Sequence, residues 1–203
     1  TGPHVIFEGA NVHVRSGSGY TYDDDINGGQ PYTGLGNLII GYNEYGYRGV
    51  LDRNGAHNLI LGIGNGFSSY SGIVAGEDNY VTGVMAAVLS GYNNTASGWN
   101  SAILSGYDNT ASHDAATIVG GNSNLATGYI SSVLGGYNNE AWGSTSTVSG
   151  GRDNQANGSH TSVSGGRGNH TSSTHSSATI SGGLNRRTYS SDSWTAGSLI
   201  EAN

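Results

Sequence analysis

Cysteine and lysine are both absent from the 203 residues. Without thiols there are no disulfides and no thiolate metal sites. Without an ε-amino group there is no Schiff-base chemistry and no isopeptide cross-link from Lys to Asn or Asp. Charge is scarce: 10% of residues are charged, and seven Arg against fourteen acids leave a formal net charge of -7 with no basic run, which argues against nucleic-acid binding. No apolar stretch is long enough for a membrane-spanning helix. Leu, Ile, Val and Phe make up only about 18% of the chain, a level that goes with disorder when charge is high. Here charge is low, so order has to come from something other than a thick apolar core.

That something is a repeat. Glycine, 36 of 203 residues, recurs as Gly76, Gly91, Gly106, Gly121, Gly136, Gly151 and Gly166, always fifteen apart. Asn79, Asn94, Asn109, Asn124, Asn139, Asn154 and Asn169 follow three places later. Between them runs the pattern Val/Ile-x-Ser/Gly-Gly-Tyr-x-Asn-x-Ala-x-Gly-x-x-Ser. A period this short with no helical pattern inside it predicts an all-β solenoid, a parallel β-roll whose coils stack one on the next.

The apolar position before each Gly is held by Val74, Val88, Ile103, Ile118, Val133, Val148, Val163 and Ile180. Five after each Gly come Ala96, Ala111, Ala126, Ala141 and Ala156. The simplest geometry turns both sets inward on two short facing strands, since small Ala opposite a β-branched residue suits a flat, two-sided roll. The Asn residues then form a structural ladder whose amides bond along the stack. About ten coils at the strand spacing would make a rod roughly 45 to 50 Å long.

Three regions are expected: a strand-rich N-terminal cap over residues 1–37, β-roll repeats over 38–185, and a C-terminal cap or junction over 186–203. In the first, Val5 and Phe7, then Val12 and Val14, alternate with polar residues as half-buried strands do. In the second, the coils at Gly36–Gly41 and His57–Gly62 are further apart than the rest, which fits a surplus loop at Glu44 to Asn54. The opening Thr1-Gly2-Pro3 reads as a processed product or a piece of a longer chain.

At Ser97-Gly98-Trp99-Asn100-Ser101-Ala102-Ile103-Leu104-Ser105-Gly106, and again at Thr127-Gly128-Tyr129-Ile130-Ser131-Ser132-Val133-Leu134-Gly135-Gly136, the chain resembles the head domains of trimeric autotransporter adhesins. The resemblance covers residues 62–185. It implies a left-handed roll, association of three chains around one axis, and a place on a bacterial surface. The chain departs from that pattern by one extra residue per coil and by Gly-Gly from Gly120-Gly121 onward.

One place after the Gly, successive coils carry Tyr92, Tyr107, Asn122, Tyr137, Arg152 and Arg167 in one column. Such a column is either a ligand-binding strip of aromatic and guanidinium planes for sugars or anions, or a self-stacked ladder with Tyr137 against Arg152, or a strip covered by neighbouring subunits. Arg152 and Arg167, one coil apart, require an acid or a bound anion nearby. Nine places after the Gly, His160 and His175 form a weak candidate metal pair, with a plain surface pair as the alternative. Asp23-Asp24-Asp25 lacks the alternating spacing of a calcium loop and reads as a solvated acidic turn. Three glycosylation patterns start at Asn93, Asn157 and Asn169. The Ser and Thr drift at Thr145-Ser146-Thr147 and Thr161-Ser162 is too mixed for an ice-binding array.

The acids are scattered and no nucleophile elbow or phosphate loop is present, so no enzyme and no cofactor is expected. The expected role is an extracellular fibre or adhesin module at a bacterial cell surface, homotrimeric, with a glycan or cell-surface receptor as partner and no nucleic-acid or membrane-inserted partner. The alternatives are a phage-like or injection-system tail fibre that binds a receptor, a structural filament subunit, and a polysaccharide-degrading solenoid.

Overall fold

Each fifteen-residue unit supplies two short strands, for example Ala102–Ile103 and Thr110–Ala111. Each strand pairs in parallel with its counterpart one coil on, Ala102 with Thr117 and Thr110 with Leu125. Repetition of this register builds an eleven-stranded long sheet from Leu38–Ile40 to Trp194–Thr195 and an eight-stranded short sheet from Gly66–Phe67 to His170–Thr171. The computed structural model describes residues 2, 5–17, 19–21 and 33–196. Over them the chain is an all-β solenoid of about nine turns, one fewer than the sequence spacing predicts.

Two corners per coil keep the strands short. At one corner Asp78, Asn93, Asp108, Ser123, Asn138 and Asp153 all adopt a positive φ of 52–58°, a conformation that Asn and Asp tolerate better than most residues. The opposite corner holds Met85, Asn100, Ala115, Ile130, Thr145 and His160 in the same conformation. A β-branched residue such as Ile130 at φ 54° is unusual; its N–H is fixed by the carbonyl of Asp114 at 3.0 Å.

The core lies between the sheets. Val74, Val88, Ile103, Ile118, Val133, Val148, Val163 and Ile180 point in from the long sheet and are fully buried, as are Ala96, Ala111, Ala126, Ala141 and Ala156 opposite them. Burial of one Val or Ile contributes about 1.5–3 kcal/mol, so the stack is stabilised by repetition. Near the N-terminal end the short sheet buries the larger Phe67 and Val81 instead of Ala.

The Asn ladder supplies the rest. The backbone N–H of Asn94 donates to Oδ1 of Asn79 at 2.9 Å, and the relation recurs at Asn109, Asn124, Asn139, Asn154 and Asn169. Each Nδ2 donates to the carbonyl of the next coil's glycine, as Asn79 does to Gly91 and Asn139 to Gly151. One buried side chain thus satisfies an N–H and a C=O of the following coil that water cannot reach. Asn65 and Asn43 extend the ladder backwards, with N–H to Oδ1 distances of 3.0 Å into Asn65 and 2.8 Å into Asn43. Their irregular spacing hides them in the sequence.

The surplus loop at residues 44–54 is real and lies against the first coils. Gly64 N–H donates to the Glu44 carbonyl, Phe67 N–H to that of Asp52, and Arg48 reaches Thr95 Oγ1 at 3.2 Å.

The strands expected in the N-terminal region need correction. Among the described residues of the N-terminal region, Val5, Phe7, Val12 and Val14 form no strand and are exposed, because no neighbouring strand offers them a ladder; the first strand is Leu38–Ile40. That segment is held instead at His57, whose Nε2 accepts the Ser16 N–H at 3.2 Å while Nδ1 lies 3.0 Å from the Thr21 carbonyl. At the other end the architecture continues past Asn185. Arg186 N–H takes the next ladder rung on Asn169 Oδ1 at 2.9 Å, and Trp194–Thr195 pairs with Thr179–Ile180.

Candidate functional site

The column one place after each glycine forms one edge of the rod. Glu77, Tyr92, Tyr107, Asn122, Tyr137, Arg152, Arg167 and Leu184 are joined in that order by single parallel bridges. The backbone is forced into this line by the glycines before it. Gly121, at φ 91°, has no room for a Cβ, which would run into the carbonyl oxygen of Gly136 in the next coil.

The planes in this column pack on one another. Tyr92 and Tyr107 stack with centroids 5.5 Å apart and planes 15° from parallel. The Arg152 guanidinium lies 5.2 Å from the Tyr137 ring centroid. Side chains one coil apart are separated by little more than the strand spacing of about 4.8 Å, so neighbouring rings meet face to face. The self-stacked ladder therefore accounts for the geometry, and what remains for a ligand is the outer rims. The Arg152 side chain is 58% exposed, and Tyr107 and Tyr137 are also exposed.

The acid that Arg152 and Arg167 require is Asp153. Its Oδ2 lies 3.1 Å from Arg152 Nε and its Oδ1 accepts from Asn138 Nδ2 at 2.9 Å. The Asn138 hydrogen bond, then the Arg152 and Arg167 charges, hold its carboxyl below the usual carboxylate range against partial desolvation. At the other end of the column, desolvation together with the nearby Asp78 and Glu77 raises the Tyr92 phenol above its ordinary value. The edge thus runs from an acidic, aromatic end to a basic one.

The other sequence candidates fare differently. His160 and His175 do not share a column, because two extra residues between Gly166 and Gly183 shift the register. Ser177 takes the left-handed corner in line with His160, and His175 Nδ1 lies 3.2 Å from Thr188 Oγ1. Among the described residues no three His, Cys, Asp or Glu side chains gather as a metal site. Asp23-Asp24-Asp25 lies outside the described residues. Asn169 is fully buried in the ladder, which removes it as a glycosylation acceptor in the folded chain.

Sequence reading overlooked the opposite edge. There Trp99, Asp114 and Tyr129 occupy one column, with Trp142 on the adjoining margin of the short sheet, and all three aromatic side chains are exposed. Trp99 and Tyr129 are thirty residues apart rather than fifteen and Trp142 lies outside their column, so a search for a fifteen-residue column passes over them. On the outer short-sheet face nearby, Asn157 Nδ2 lies 2.8 Å from His170 Nε2, and Gln155 Nε2 donates to Glu140 Oε2 at 2.9 Å. Desolvation, then the Arg187 charge, pushes His170 below its ordinary range.

No protein-family model matches the chain, and no curated protein matches it.

Proposed function

We propose that this chain is a non-enzymatic attachment module of an extracellular fibre, a trimer of left-handed rolls that carries weak ligand contacts on its outer edges at a bacterial cell surface. The observation that carries the reading is the outer face of the long sheet. Leu89, Leu104, Val119 and Leu134 stand there in one row, 38–49% exposed. Beside them Ala87, Ala102, Thr117 and Ser132 form a row of small residues. A continuous aliphatic row on a flat sheet is the kind of surface that self-association covers, and the small row lets a second sheet approach closely. Three copies would then present each edge three times, and avidity would compensate for weak single contacts.

Light scattering tests the trimer: the reading expects three times 20.7 kDa, and a monomer at all concentrations overturns it. A pull-down against whole bacterial or host cells tests attachment. Loss of polysaccharide mass during that incubation would instead favour the degrading solenoid.

A further inference from the structure

We propose that the edge carrying Trp99, Asp114 and Tyr129 is a binding track for a linear, uncharged, β-1,4-linked polysaccharide lying parallel to the rod. The inference deepens the attachment reading by naming a ligand class, and it stands on residues of its own.

The two edges use similar side chains at different spacings. On the Tyr–Arg edge Tyr92 stacks on Tyr107 and Arg152 on Tyr137, each pair in consecutive coils, with Asn122 between the pairs. On this edge Trp99 and Tyr129 are two coils apart, about 10 Å, so neither ring covers the other. Trp99 is 55% exposed, Tyr129 50% and Trp142, one coil beyond Tyr129, 55%. On the short-sheet side of the two rings lie half-buried Ser97 and Thr127 and buried Gly98 and Gly128, and on the other side Asn100 and Ile130, both exposed. The two rings are thus separated by the coil of His113 and Asp114, whose polar side chains suit a ligand that offers both a ring face and a hydroxylated rim.

The coil between the two rings carries hydrogen-bonding groups. Asp114 Oδ1 accepts the backbone N–H of Trp99 at 3.2 Å, and Oδ2 has no protein partner among the described residues. His113 Nδ1 accepts the Asp114 N–H at 2.8 Å, so in the neutral ring Nε2 carries the proton and is a donor. The His113 ring meets Tyr129 edge-on, centroids 6.0 Å apart at 77°. His113 stands where neighbouring coils carry Gly98 and Gly128, so this coil alone among them adds a side chain at that place.

An acceptor and a donor between two planar platforms fit a chain of flat sugars. In a β-1,4-linked glycan alternate sugars present the same face, and the two-sugar repeat matches the two-coil separation of Trp99 and Tyr129. The intervening sugar, turned over, brings its hydroxyls to Asp114 and His113. An α-linked chain curls away from such a line, and the Asp114 carboxylate disfavours an anionic one.

The test is titration of the intact chain with cellohexaose and chitohexaose, with maltohexaose and an alginate hexasaccharide as controls, read by calorimetry and by tryptophan fluorescence. The proposal expects binding of at least one β-1,4 hexasaccharide without cleavage, and weakening by roughly tenfold for each of Trp99→Ala and Tyr129→Ala. It expects less change for Tyr107→Ala on the other edge. Unchanged circular dichroism in the variants separates lost contact from lost fold. No binding at millimolar sugar, equal binding of maltohexaose, or full binding by the Trp99→Ala, Tyr129→Ala double variant overturns it. Cell attachment that persists in the double variant removes this track while leaving the attachment reading in place. Failure of the wild-type chain to attach to any cell, with hexasaccharide binding intact, removes that reading and leaves the track.

Discussion

The backbone N–H of Asn139 points at Oδ1 of Asn124, 3.0 Å away and one coil earlier, while Nδ2 of Asn124 donates to the Gly136 carbonyl beside it at 3.1 Å. The same Nδ2 also donates within its own coil, to the Gly120 carbonyl at 3.0 Å.

Removal of this amide leaves buried groups without partners. Asn124→Ala is expected to lower stability by roughly 2–5 kcal/mol, since each unsatisfied buried group costs about 1–3 kcal/mol. Asn122→Ala, two residues away on the edge, should stay within about 0.5 kcal/mol, as surface substitutions do. Urea unfolding of both variants checks the contrast, and equal losses would mean that the ladder is not a stabilising element.

Two adjacent glycines should respond oppositely. A Cβ on Gly120 comes no nearer than 3.1 Å to Ser105 Oγ, the end of a flexible side chain, whereas one on Gly121 meets backbone. Gly121→Ala is expected to cost more than about 2 kcal/mol, because an unfavourable φ alone costs roughly 1–2 kcal/mol before the collision is relieved. Gly120→Ala should be close to neutral, and thermal melts of the pair decide it.

The thin core should resist enlargement as well as truncation. Ile118→Ala is expected to lose about 2–5 kcal/mol. Ala126→Leu, on the facing sheet, should also lose stability, by about 1–3 kcal/mol, since there is no void for the added carbons. Denaturant midpoints for the two would show whether the Ala column sets the separation of the sheets.

Acidification should weaken the C-terminal coils through His170. Its folded-state pKa lies below the ordinary value because burial and Arg187 disfavour the charged ring. The unfolded chain therefore binds more protons, and stability present above about pH 6.5 falls as the pH drops through the folded pKa. His170→Gln should flatten that slope. Melting temperatures at pH 7.5 and 5.0 test this, and an unchanged slope in the variant would sink it.

The aliphatic row on the long sheet should control assembly. Leu104→Asp with Leu134→Asp is expected to convert a trimer to a monomer in light scattering with circular dichroism unchanged, since both side chains are exposed in the single chain.

What was legible in the sequence is whatever repeats at fifteen. Val148 and Ala141 announce the two sheets, and Asn109 announces the ladder, because stacking converts a fixed period into a column. Where the period slips, reading fails: Asn43 and Asn65 belong to the ladder at separations of 22 and 14 residues, and His175 leaves the column of His160 after a two-residue insertion. Alternation misled at Val12 and Val14, since a strand pattern makes a strand only beside another strand. Of the candidate strip, Tyr137 against Arg152 was visible from spacing alone. The docking of Arg48 on Thr95 of the short sheet was not, because the contact joins residues 47 apart in sequence.

The inter-coil hydrogen bonds run along the rod, each coil gripping only its neighbours, and this gives the molecule a mechanical character. A pull on its two ends loads the coils in series, and the terminal coil, gripped on one side only, peels first. Each release would free fifteen residues, about 50 Å of extended chain, in place of one strand spacing of about 4.8 Å. A tether built this way lengthens in steps under load and dissipates the force, while the coils still stacked keep their edges intact.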